Sequence, residues 1–156
     1  MKKTIFMLIL ALALLASGCA GKTAPSSTPE NESKSYDIST LEDYIASVQE
    51  QASALRTSLE QEALTQTDMN IKSQELYELW DSALNYLWEE LSATLPKKEF
   101  GVLQEKQRTW ITEKETAITE AGKEVEGGSL YPLVVNSEAA NITEERVYEL
   151  YALLKE

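Results

Sequence analysis

Residues 65–115 read TQTDMNIKSQELYELWDSALNYLWEELSATLPKKEFGVLQEKQRTWITEKE, and their spacing decides the fold. Met69, Ser73, Leu76, Trp80, Ala83, Leu84, Leu87, Leu91 and Leu95 recur at steps of three and four, the period of one helix face. Thr65 and Asp68 stand three apart at the start of this run, an aspartate version of the capping box. Pro96 marks the end of the helix and the start of a tight turn. A further helix follows over about 97–121. Phe100, Leu103, Gln107, Trp110, Lys114, Ala117 and Ala121 form its stripe, with Ile111 and Ile118 beside it. All three tryptophans fall inside this helical hairpin.

Polar residues occupy positions in and beside these stripes. In an antiparallel hairpin turning near Lys97, facing residues have numbers that sum to roughly 194. That rule sets Asp81 opposite Lys114, and Asn85 opposite Arg108 or Trp110. It predicts an Asp81–Lys114 ion pair and an Asn85 hydrogen bond to the third helix. Such a layer fixes register more clearly than it adds stability. The alternative is that Asp81, Asn85, Gln107, Arg108 and Lys114 line a ligand cleft. Trp80 and Trp110 lie on apolar stripes and are expected in the core. Trp88 is less constrained and is the candidate partner contact.

Outward from the hairpin, residues 41–64 carry Leu41, Tyr44, Ile45, Val48, Ala52, Leu55 and Leu59 at helical spacing. This stripe is modest, which suits a helix at the edge of a bundle. Gly122 closes the third helix, and Gly127-Gly128 marks a turn. Ser129 is expected to cap a fourth helix, with Pro132 in its first turn. Leu130, Leu133, Val134, Ser137, Ala140, Glu144, Val147, Leu150, Tyr151 and Leu154 continue the spacing to the C-terminus. Asn141 also looks like a fresh start, so both a continuous and a broken helix fit. No segment alternates with period two over strand length. The expected fold is therefore all-α, an antiparallel bundle of about four helices over residues 40–156.

Ahead of it, two lysines precede an apolar run and then small residues, the three-part form of an export signal over residues 1–18. Leu15-Ala16-Ser17-Gly18-Cys19 resembles a bacterial lipobox, and Cys19 is the chain's single cysteine. Lipidation at Cys19 is expected, anchoring an exported protein to the bacterial membrane or envelope. Residues 19–39 are rich in Pro, Ser, Thr and Glu and read as a flexible tether.

The totals narrow the chemistry. The 156 residues carry a formal charge of −12 and no histidine. Such a charge disfavours nucleic acid and suits a basic protein partner. Without histidine there is no Ser–His triad and no Glu-x-x-His metal site. Glu89-Glu90 and Glu113/Glu115 read as solvated helix faces rather than paired catalytic carboxylates. No catalytic residue, metal or cofactor is expected.

Thr65-Gln66-x-x-Met69-Asn70, followed by Tyr77, Asp81, Leu84-Asn85 and Leu91, resembles the LprI family of bacterial exported proteins. Leu103-x-x-x-Gln107-Arg108-x-Trp110 fits the same pattern, with Lys114-Glu115 where the family usually has Arg-Asp. Gly127-Gly128-Ser129 and Thr143-Glu144-Glu145-Arg146-x-x-x-Leu150 complete a resemblance over residues 65–154. It implies a small α-helical domain, often on a lipoprotein, and a partner such as lysozyme. It also implies that Asp81, Asn85, Gln107, Arg108, Trp110 and Lys114 are motif positions. The family's usual cysteines are absent; Lys72 stands where one is typical. The expected function is a surface-tethered binding protein that inhibits lysozyme or a related cell-wall hydrolase. The alternative is an envelope interaction or ligand-binding module without inhibitory activity.

Overall fold

The computed structural model describes residues 38–155. Cys19, the export signal and most of the tether lie outside the described residues. Four helices follow in order: α1 (Ile38–Gln61), α2 (Gln66–Thr94), α3 (Lys97–Gly122) and α4 (Tyr131–Leu154), with a short 3-10 turn at Lys123–Val125. No strand occurs among the described residues.

The α2 helix begins as its sequence dictates. Thr65 sits in extended backbone and its hydroxyl accepts from the Asp68 N–H. The Asp68 carboxylate accepts in return from the Thr65 N–H at 3.2 Å. Both halves of the capping box are formed, and two otherwise orphan donors are satisfied. At the far end Leu95 is extended, as a residue preceding proline tends to be, and α3 starts immediately after Pro96.

The core lies on the stripe read from α2. Ser73, Leu76, Trp80, Ala83, Leu84, Leu87 and Leu91 are all buried. Leu41, Ile45, Val48 and Ala52 bring α1 onto it, and Val147 and Leu150 do so from α4. Each fully buried Leu or Val side chain contributes about 1.5–3 kcal/mol relative to exposure.

Cross-helix contacts fix the directions. Asn70 donates to the Ser129 carbonyl at 3.1 Å, Asn136 donates to the Ser73 hydroxyl at 3.4 Å, and Trp80 meets Tyr148 edge-on at 5.8 Å. The numbers rise together, so α2 and α4 run parallel, and theirs is the most extensive contact among the described helices. Small buried side chains, Ser73 on α2 and Ala139, Ala140 and Thr143 on α4, suit that close approach. By contrast, α1 runs antiparallel to both. Tyr44 packs on Tyr86 at 4.4 Å, Arg56 holds Glu144 with two guanidinium nitrogens, and Gln49 donates to the Tyr148 hydroxyl at 2.8 Å. The α3 helix is antiparallel to the pair on its other flank, where Gln107 meets Arg146 and Trp88 meets Phe100.

One expectation for α4 changes, and one open alternative closes. Ser129 does not cap it; the residue before the helix is Leu130, with helical backbone and no side-chain cap. The turn uses Gly127 at φ 73°, and the Ser129 carbonyl is taken by Asn70 instead. Pro132 does lie in the first turn. The helix then runs unbroken through Asn141, because Ala139, Ala140 and Thr143 are buried across that point and hold it in register. At the α3–α4 corner, a β-carbon on Gly122 would stand 2.7 Å from the Tyr131 ring, so the close approach there requires glycine.

Candidate functional site

After the Pro96 turn the α2 and α3 backbones do not close on each other; α4 packs against both, and only long side chains span the space between them. The result is a groove of about 340 Å³. Asp81, Leu84, Asn85 and Trp88 line it from α2. Gln104, Gln107, Arg108, Trp110, Ile111 and Lys114 line it from α3. All six motif residues and Trp88 therefore face one groove.

The register-setting layer expected from the spacing is not formed in that way. Asp81 and Lys114 do not pair. The Asp81 carboxylate accepts from Asn85 on its own helix at 3.2 Å, and Asn85 thus bonds within α2 rather than across to α3. A partner one turn away on α2 satisfies Asp81 without bridging the gap, and Lys114 crosses the gap to a different α2 residue. Lys114 turns to Tyr77, with its ammonium 3.4 Å from the hydroxyl and 5.4 Å from the ring centre. It also lies 4.9 Å from the centre of the Trp110 ring. Trp110, expected in the core, is half-buried on the groove wall. Trp88 is half-buried too and packs on Phe100 with centroids 5.1 Å apart. Trp80 alone of the three is fully enclosed.

Gln107 is buried, and its carbonyl oxygen accepts from Arg146 Nε at 2.9 Å. Arg146 is itself only 9% exposed and reaches Glu149 at 2.6 Å. Its guanidinium lies 5.7 Å from the Trp110 ring centre, and its Nη2 has no hydrogen-bond partner among the described residues. Arg146 thus props Gln107 and Trp110 from behind the groove. Arg108 is exposed and held by Glu105, one turn earlier on α3.

Tyr77 and Arg146 stand in the family pattern, but the sequence reading assigns neither a place in this site. The signal for Arg146 was available: Ala139, Thr143, Arg146 and Leu150 are spaced four, three and four apart, a second stripe on α4 alongside Ala140, Val147 and Leu150. A helix pressed between two neighbours buries two such stripes, and only one was followed. Among the described residues no group of three His, Cys, Asp or Glu is placed to hold a metal ion, and no helix is long and apolar enough to cross a membrane.

The family model described as Lysozyme inhibitor LprI matches residues 42–150. The chain belongs to the LprI family. The match takes in most of α1, which the motif pattern starting at Thr65 had left outside, and includes the whole groove. An uncharacterized Rhizobium meliloti (strain 1021) protein, R02472, is 30% identical over 106 residues, covering 60% of this chain and 76% of the relative. No solved structure matches.

Proposed function

We propose that this LprI-family protein is an exported lipoprotein, anchored through Cys19, that binds and inhibits lysozyme or a related cell-wall hydrolase. The observation that carries the reading is the family match over 42–150, which spans most of the helical unit. The net charge of −12 supports it, since an acidic surface attracts and orients a basic enzyme. On this reading residues 1–18 direct export, residues 19–39 tether the domain, and the outer acidic helix faces meet the partner. Acyl chains on Cys19 contribute about 0.8 kcal/mol per buried CH₂, enough for stable anchoring when several are attached.

The test is a titration of residues 39–156 against basic lysozyme, following binding and wall lysis together. Inhibition of lysis that saturates with binding is the expected result. Binding that disappears with modest salt while lysis continues would mark charge attraction alone and sink the inhibitory reading. The anchor is tested separately: Cys19→Ser is expected to move the protein out of the membrane fraction, and retention there would refute lipid anchoring at that residue.

A further inference from the structure

Lys114 is unusual for a lysine in so acidic a chain. Its helical neighbours three and four residues away are Trp110, Ile111, Ala117 and Ile118, none able to offer a counter-charge. Among the described residues it makes no ion pair, and unlike Lys72, the other half-buried lysine without one, it has no acidic residue three or four positions away. It is half-buried against two aromatic rings and lines the groove between α2 and α3. Asp81 lies on the opposite wall and, though near enough to line the same groove, leaves Lys114 unpaired.

The groove therefore has a donor wall and an acceptor wall. On α3, Lys114 offers an ammonium. Gln107 has its carbonyl occupied by Arg146, so the group it can present is its NH₂. On α2, Asp81 offers a carboxylate that, among the described residues, holds only the Asn85 amide. Each wall also carries a half-buried indole, Trp88 on α2 and Trp110 on α3.

We infer that this groove binds a small carboxylate whose body carries a hydrogen-bond donor and one flat or apolar face. The ligand carboxylate supplies the counter-charge that Lys114 lacks, with Gln107 donating beside it. The donor at the other end meets Asp81, and the body rests on the indole rings. A volume of about 340 Å³ fits a group the size of one sugar ring or one amino-acid residue. Two sources share this chemistry, a sugar acid with hydroxyl donors and an N-acylated amino acid with an amide donor.

The probes are glucuronate and N-acetylphenylalaninate, each compared with its neutral counterpart, glucose and N-acetylphenylalaninamide. The full chain, purified in a nonionic detergent, is titrated while tryptophan fluorescence is followed. At least one acid is expected to give a saturable change and to bind about tenfold more tightly than its neutral counterpart, the scale of one charge-assisted hydrogen bond. The acid that responds identifies the source. Lys114→Met is expected to abolish that preference and Lys114→Arg to keep it. Asp81→Asn, which preserves shape at the other wall, is expected to weaken the same acid about threefold. Equal response to acid and neutral probes, no saturable response to either acid, or an unchanged preference in Lys114→Met would overturn the inference. Failure here is separable from failure of lysozyme inhibition, which is read in wall lysis rather than in small-ligand binding.

Discussion

The two sides of α2 form different kinds of interface. Toward α4 the backbones approach closely over small side chains, and Trp80 is completely enclosed. Toward α3 the backbones stay apart, Asp81 and Asn85 bond to each other, and Trp88 and Trp110 remain half-exposed. Both sides look alike as spacing, with apolar residues every three or four positions. The difference lies in what fills the stripe. Of the α3 side chains only Leu103 and Gln107 are buried, and the stripe position after Trp110 is a lysine. A stripe with polar members still forms a helix and still docks, but it leaves a groove where the other side forms a core.

The largest effect separating the two sides is expected from the tryptophans. Trp80→Ala removes a fully enclosed ring and is expected to cost about 3–5 kcal/mol, read as a lower urea midpoint. Trp110→Ala removes a half-buried ring whose cation contacts are worth about 0.5–2 kcal/mol, so its cost is expected to be less than half as large. Equal losses would mean that the groove wall is as integral to the core as Trp80, and the distinction would fail.

A smaller effect sharpens where the groove ends and the core begins. Gln107→Leu leaves Arg146 Nε without its acceptor in a buried setting, at an expected cost of about 1–3 kcal/mol. Adding Arg146→Met removes the stranded donor, and the double variant is expected to be more stable than the sum of the two single losses. A double-mutant cycle with no coupling would show that Arg146 does not prop Gln107.

Much of this was legible in the sequence, and what was not has a physical cause. The α2 stripe from Ser73 to Leu91 is buried as its spacing predicts, and Thr65, Pro96 and Pro132 punctuate the helices where expected. Six of the groove-lining residues, Asp81, Asn85, Gln107, Arg108, Trp110 and Lys114, stand out in the sequence, chiefly as a register-setting layer. Their partnerships do not. The facing rule assumes that consecutive antiparallel helices pack side by side along their length. Here α4, contributed from the far end of the chain, takes the close place beside α2 and holds α3 off. That depends on the small residues Ala139, Ala140 and Thr143, which carry no mark of their partner in sequence. Ser129 failed as a cap for a comparable reason. The Gly127–Gly128 turn carries the chain one residue further before the helix begins, and Asn70 of α2 claims the Ser129 carbonyl.

The smallest expected effect belongs to a site that neither interface touches. The Thr65–Asp68 box caps α2 at the surface, and Thr65→Ala is expected to cost about 1 kcal/mol near neutral pH. Its pH dependence follows from Asp68, whose carboxyl is held below its ordinary value of 3.8, chiefly by the Thr65 side-chain hydrogen bond and then by the Thr65 backbone N–H. A depressed carboxyl binds its proton less readily when folded than when unfolded. It therefore contributes stability above the ordinary value, and that contribution is lost as pH falls through the folded one. Removing the Thr65 hydroxyl removes the larger cause. The stability gap between the parent and Thr65→Ala is thus expected to narrow between about pH 7 and about pH 3, measured by urea unfolding at each pH. A gap that stays constant would place the role of Thr65 in its backbone geometry rather than in the exchange with Asp68. Both α2 interfaces would then start from a helix end set by the turn at residues 62–65 alone.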